Sequence, residues 1–111
     1  MLAKPNRLTD GADYKAVVRR GARASGAHTI TYVVSREAST SPRFGFIVSK
    51  QVGSAVTRNR VRRRLKAVCL SALPHVRAGS EVVIRALPSA AKASFASLES
   101  EVMSSLERRA A

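Results

Sequence analysis

Between Arg58 and Ala72 the chain carries its densest run of cations and, in the same residues, a regular apolar stripe. Six of the nine residues from Arg58 to Lys66 are Arg or Lys, yet Val61, Leu65, Val68, Cys69 and Ala72 recur at spacings of three and four. That spacing is one face of an α-helix. On the same wheel Asn59, Arg62, Arg63 and Lys66 fall together on the opposite side. A disordered basic tail has no reason to keep such a stripe. The segment must fold as a helix with one face in a core and the other offering cations to a polyanion.

The charge of the whole chain points the same way. A formal charge of +13 in 111 residues is costly through self-repulsion unless a negative partner neutralises it. Residues 1–98 hold eighteen Lys and Arg against four Asp and Glu, whereas residues 99–111 hold two against three. The last helix is therefore the element least suited to face a polyanion. At 45% apolar residues the chain can bury one core, and its length suits a single domain over residues 1–111. No window approaches the roughly 18 uninterrupted apolar residues of a membrane span. The N-terminus, Met-Leu-Ala-Lys-Pro-Asn-Arg, has no apolar signal-like stretch, which argues against secretion. Cys69, the single cysteine, lies on the apolar stripe and reads as a small core residue. These features predict a cytoplasmic protein.

Residues 1–8 read as an extended arm held open by Pro5. Asp10 can cap a helix over about 11–20, with Arg19 and Arg20 near its end and Gly21 to stop it. Tyr14 and Val18, four apart, share a face of that helix. His28 to Arg36 reads as a strand with Ile30, Tyr32 and Val34 on one side and Thr29, Thr31 and Val33 on the other. Arg43 to Lys50 is apolar at nearly every position, which predicts a central strand. Lys50 to Gly53 turns, Ser54 or Thr57 can cap, and the basic helix runs to Leu73, stopped by Pro74. Glu81 to Leu87 is a third strand. Pro88-Ser89 is predicted to open a final helix with the stripe Phe95, Leu98, Val102 and Leu106. The sum is one α+β domain in the order αββαβα.

The inventory for catalysis is thin. Asp10 and Asp13 are close in sequence, but at a helix start they act as cap and dipole residues. Glu99 and Glu101 are two apart on a helix and do not face each other. Neither His28 nor His75 has a Cys, Asp or Glu at ligand spacing. No Gly-rich phosphate loop precedes a helix. The chain is a poor candidate to catalyse a reaction by itself. The basic helix is the stronger signal, because so many cations with so few acids nearby exceed what a solvated face requires. Tyr14, Tyr32, Phe44 and Phe46 are candidate platforms for single-stranded bases, with the core as the competing place for each. Strand parity puts Phe44 and Phe46 on one face, which favours the core for that pair.

Phe44-Gly-Phe-Ile-Val-Ser-Lys50, followed by Val52-Gly-Ser-Ala-Val-Thr-Arg58-Asn-Arg60-Val-Arg-Arg-Arg-Leu-Lys66, resembles the bacterial ribonuclease P protein component. Arg7-Leu8, Tyr14, Arg20-Gly21 and Tyr32 fit the same family's N-terminal half, so the resemblance spans about residues 4–106. It implies a small basic subunit of a ribonucleoprotein whose catalytic RNA removes the 5′ leader of precursor tRNA by Mg²⁺-dependent hydrolysis, the Mg²⁺ being bound mainly by the RNA. It implies further that Arg58, Asn59, Arg60, Arg62, Arg63 and Lys66 meet the RNA subunit. A cleft with Tyr14, Val18, Tyr32, Phe44 and Lys50 would hold the single-stranded leader. No obligate protein partner and no membrane is implied. The family's fold adds a short strand near residues 22–27. It also makes the sheet mixed, with a left-handed βαβ crossover against the right-handed rule.

Two positions depart from the family pattern. Val18 and Thr29 stand where aromatics are common, so leader contacts are expected to be weaker or supplied by Arg19 and His28. Two other readings of the charge remain open from sequence alone. One is a non-enzymatic RNA-binding protein such as a ribosomal protein. The other is a basic surface for anionic membranes, disfavoured because the stripe lacks Trp or exposed Phe.

Overall fold

A basic helix with one apolar stripe needs a flat apolar surface to lie on, and four strands provide it. The computed structural model describes residues 2–37 and 40–111. Helix α1 (Gly11–Arg20) is followed by β1 (Ala22–Ser25), β2 (Thr29–Ser35), β3 (Arg43–Ile47), α2 (Ala55–Ala72), β4 (Ser80–Ala86) and α3 (Phe95–Ala110). The sheet order is β1-β2-β4-β3, antiparallel except for the β3–β4 pair, whose two strands are parallel and joined through α2. The sheet is thus mixed, and the short extra strand near residue 22 is present as β1.

Each helix starts where the sequence provides a cap. The Asp10 carboxylate accepts from the Ala12 N–H at 2.9 Å, Ser54 Oγ from Thr57 at 3.3 Å and Ser94 Oγ from Ser97 at 3.1 Å. Gly53, with φ +152°, turns the chain into α2 in a conformation that side chains resist.

Both faces of the sheet are covered, because strand alternation supplies apolar residues to each. On one face Val33, Phe44, Val82 and Ile84 pack against Val61, Leu65, Val68 and Cys69 of α2 and Leu98, Val102 and Leu106 of α3. On the other, Tyr32 and Val83 pack against Val17 of α1 and Leu8. Cys69 is fully buried, and burial pushes its thiol pKa up, so it is an inert core residue.

The structure corrects three expectations. Residues 43–47 form an edge strand, and the central apolar strand is β4. The apolar run at 43–50 is still buried because the N-terminal segment covers that edge. Arg7 bridges Phe44, the Leu8 N–H donates to the Phe44 carbonyl at 2.8 Å, and Leu2 is buried. The arm is accordingly docked, and Pro5 sits inside a single 3-10 turn at Lys4–Asn6. Pro88 opens only the separate 3-10 turn Pro88–Ala91, and α3 begins seven residues later at Phe95.

Glu81 is the one carboxylate buried among the described residues. It accepts from Arg36 Nε at 2.6 Å and from Arg43, which also lies 3.8 Å from Asp13 at the start of α1. Burial alone would raise its pKa; the hydrogen bonds and charge of the two arginines outweigh that and hold it below the usual carboxylate range. A lowered folded-state pKa contributes stability above the unfolded value and loses it as pH falls through the folded one. Acid unfolding of the wild type should therefore begin within the carboxylate range, and Glu81→Gln should flatten that dependence. At neutral pH the variant should lose only about 1 kcal/mol, since both arginines stay in contact with water. Parallel acid limbs for the two proteins in urea titrations would show that Glu81 is not the titrating group.

Candidate nucleic-acid interface

Burial of its apolar stripe fixes which way α2 presents its charges. Val61, Leu65, Val68 and Cys69 are at most 1% exposed, so Asn59 and Arg63 point to solvent, while Arg62 and Lys66, half-buried, border the edge of β3. Arg62 Nη1 donates to Asn59 Oδ1 at 2.9 Å, bracing two members of the row. Arg60 and Arg64 turn to the flank, where they donate to the carbonyls of Ala91 (2.9 Å) and Ala93 (3.1 Å) before α3. Arg58 is half-buried with its Nε enclosed and unpartnered. Of the six residues expected to meet RNA, four form the open row and two flank it. No carboxylate pairs with an α2 cation among the described residues. The row is therefore unneutralised by the protein itself, as a phosphate-binding surface requires.

A second basic feature lies on the other face of the sheet. Gly45, Val83, Tyr32 and Arg23 form one row across the four strands, and Ile47, Arg85, Ile30 and Ser25 form the next. Helix α1 covers the first row and leaves the second partly open. Tyr14, Lys15, Val18 and Arg19 of α1 then face Ile47 and Arg85 across a hollow of about 430 Å³. Beyond Arg85 it adjoins a second hollow of about 460 Å³, lined by Ser49, Lys50, Gln51, Leu87 and Pro88 among others. The resulting trough has an apolar floor and four cations, Lys15, Arg19, Lys50 and Arg85, with no acid lining it. A smaller hollow over the edge of β3 holds Tyr14, Phe46, Arg62 and Lys66 together, which links the trough to the α2 row.

Tyr14 is placed by a missing side chain. Its ring lies over Gly45, where a Cβ would come within 2.5 Å of Cζ, and its Oη accepts from the Phe46 N–H at 3.2 Å. Of the residues expected in the cleft, Tyr14, Val18 and Lys50 line the trough. Tyr32 does not. Its ring is buried beneath α1 with the Arg23 guanidinium 6.0 Å from its centre. Phe44 is buried on the opposite face, in the α2 and α3 core, as strand parity favours. Thr29 is also fully buried there and donates to Glu101, while the His28 N–H donates to the same carboxylate. Thr29 therefore cannot supply an aromatic's contact in the trough, whereas Arg19 lines it; the His28 imidazole is outside the lining, with Nδ1 2.8 Å from Ser89 Oγ. Sequence reasoning missed Lys15, Ile47 and Arg85. Arg85 had a signal, being the only charged residue between Val82 and Ala86 and the only exposed one in its strand.

The fold and the unpaired cations define a single-domain RNA-binding protein. A family model described as ribonuclease P matches residues 2–110. Among relatives, the ribonuclease P protein component of Clavibacter michiganensis subsp. michiganensis is 45% identical over 97% of this chain and 96% of its own length. That of Acidothermus cellulolyticus is 43% identical over 91% and 85%. The solved ribonuclease P proteins of Staphylococcus aureus and Thermotoga maritima share the fold. Their TM-scores are 0.85 and 0.80, at 21% and 16% identity, over 95% of this chain in both cases and 95% and 98% of theirs. The chain belongs to the ribonuclease P protein family, as a subunit of the endoribonuclease that matures tRNA 5′ ends, in partnership with the ribonuclease P RNA. The ribosomal-protein alternative is not favoured.

The contact between Tyr14 and Gly45 is open to a direct test. Gly45→Ala should cost about 1–3 kcal/mol in denaturant unfolding, because the added methyl must displace a pinned ring. Tyr14→Phe, which removes only the hydroxyl, should cost about 1 kcal/mol or less. Unchanged stability in Gly45→Ala would mean that the ring does not lie over that glycine.

Proposed function

We propose that the two basic features divide the work of the holoenzyme. The outer row of α2, with Asn59, Arg62, Arg63 and Lys66 at its centre and Arg58 and Arg60 on its flank, holds the RNA subunit. The trough under α1 takes the single-stranded 5′ leader of precursor tRNA, with Tyr14 and Val18 as one wall, Ile47 as floor and Lys15, Arg19, Arg85 and Lys50 spaced along it. The observation that carries this reading is the trough itself: apolar surface for base faces beside cations for the backbone, with no carboxylate in the lining.

Catalysis then falls to the RNA, with Mg²⁺ held mainly there. In support, no three of His, Cys, Asp and Glu converge among the described residues, and the buried carboxylate of Glu81 is already held by two arginines. The described residues thus bring no such set of oxygen donors together for a Mg²⁺ ion. Its part is to bind and to orient. A cytoplasmic location, where precursor tRNA is made, suits this role.

The α2 row is tested by salt. Arg62→Ala with Arg63→Ala should weaken binding of the RNA subunit and make its salt dependence shallower by roughly one unit per lost phosphate contact, with thermal stability nearly unchanged. Lost stability with an unchanged salt slope would make these arginines structural. The trough is tested by comparing substrates. Arg85→Ala should reduce holoenzyme affinity for leader-bearing precursor tRNA several-fold while leaving mature tRNA, which has no leader, bound as before. Val18→Phe, which adds a ring to the trough wall, should tighten the precursor alone. Equal effects on both tRNA forms would place the leader elsewhere.

A further inference from the structure

Phe95 is an aromatic residue that neither the core nor the proposed RNA faces account for. Helical spacing puts it on the α3 stripe with Leu98, Val102 and Leu106, and those three are at most 3% exposed. Phe95 is 38% exposed. The cause is its position. Capped by Ser94, it is the first residue of α3, where the chain arrives from the turn Pro88–Ala91 instead of from a preceding helical turn. Its chain neighbours Ser94, Ala96 and Ser97 are small and exposed, so no large apolar side chain adjoins it in sequence.

The segment before Phe95 is fastened to the basic helix. Arg60 and Arg64, one turn apart on α2, donate to the carbonyls of Ala91 and Ala93. Lys92, between those two carbonyls, is exposed. A carbonyl orients a guanidinium without neutralising it, so both arginines keep their charge next to the segment that leads into Phe95. An exposed ring, a free ammonium and two oriented guanidinium groups are thereby gathered along one flank of the α2 row. They lie on the α2 side of the sheet, opposite the trough.

We infer that residues 91–95 form a second contact with the RNA subunit. In it the Phe95 ring stacks on an unpaired base, Lys92 meets a neighbouring phosphate, and Arg60 and Arg64 are positioning residues that hold this platform against α2. The occupant follows from continuity with the α2 row and from charge, so the inference rests on the reading of that row given above. Stacking on one face is sequence-tolerant, since every base has a π-face. It is also largely insensitive to salt, unlike a phosphate contact.

The experiment is titration of the RNA subunit with Phe95→Ala, Phe95→Leu, Phe95→Trp and Lys92→Ala proteins over a range of salt, with thermal unfolding of each and Arg62→Ala/Arg63→Ala measured alongside. Phe95→Ala and Phe95→Leu should weaken binding roughly five- to tenfold, the low end for one base–aromatic stack, with the salt slope unchanged. Phe95→Trp should bind as the wild type or tighter, and Lys92→Ala should flatten the slope. In an Arg60→Ala background the loss from Phe95→Ala should shrink, because the platform is no longer held. Wild-type affinity in Phe95→Leu overturns the stacking role, whether or not the Ala variant folds well. If the Phe95 variants bind normally while Arg62→Ala/Arg63→Ala flattens the salt slope, only this inference fails. If neither set changes binding, the reading of the α2 row fails with it.

Discussion

The burial of Val61, Leu65, Val68 and Cys69 against one face of the sheet is the constraint on which the rest of the molecule depends. An α-helix is a rigid rod, so fixing the azimuth of its apolar stripe fixes every other side chain on it. Cations that would otherwise be spread around a mobile tail are held in one row, and the ordering entropy of an RNA contact is reduced before the RNA arrives. The same burial closes the core with α3 and leaves the acidic C-terminal helix away from that row. A surface designed only for charge would need no core; here the core is what gives the charge a direction.

The sheet's other face achieves something different with a shorter helix. Ten residues of α1 cover one row of side chains and stop, and the next row, from Ile30 through Arg85 to Ile47, is left partly open. Gly45 makes room for the Tyr14 ring, which a Cβ at that position would displace. The trough is thus a consequence of helix length and one absent Cβ. The Arg7–Phe44 bridge and the Leu8 hydrogen bond seal the neighbouring sheet edge, which would otherwise offer unpaired backbone groups to another chain.

Helices α1 and α2 and their caps were legible because their signals are local: Asp10 and Ser54 before periodic apolar residues, and Gly21 after. Strand parity also told the faces apart, and it explains why Phe44 lies in the core. The rank of β3 was not legible, since an apolar run reports burial without saying what buries it, and the N-terminal segment that covers it is distant in sequence. Tyr32 misled for a related reason. It shares a sheet face with the trough but lies one row away, under α1, and only the register between strands separates those rows. Phe95 kept a helical period with Leu98, yet the helix begins at Phe95 itself, and period alone cannot locate a first turn. Arg85 was readable in principle, as the lone cation in a buried strand, once that strand is known to be central. The family resemblance correctly carried the mixed sheet and the short first strand, which no local pattern indicates.

The division of the sheet into an RNA-subunit side and a leader side is tested most directly by position-specific crosslinking in the assembled holoenzyme with precursor tRNA bound. A short photo-reactive probe would be placed, one at a time, at residue 63 on α2 and at residue 18 on α1. The probe at 63 should label the RNA subunit whether or not substrate is present, and the probe at 18 should label the 5′ leader and lose that product with mature tRNA. Labelling of the leader from position 63, or of the RNA subunit alone from position 18, would contradict the division.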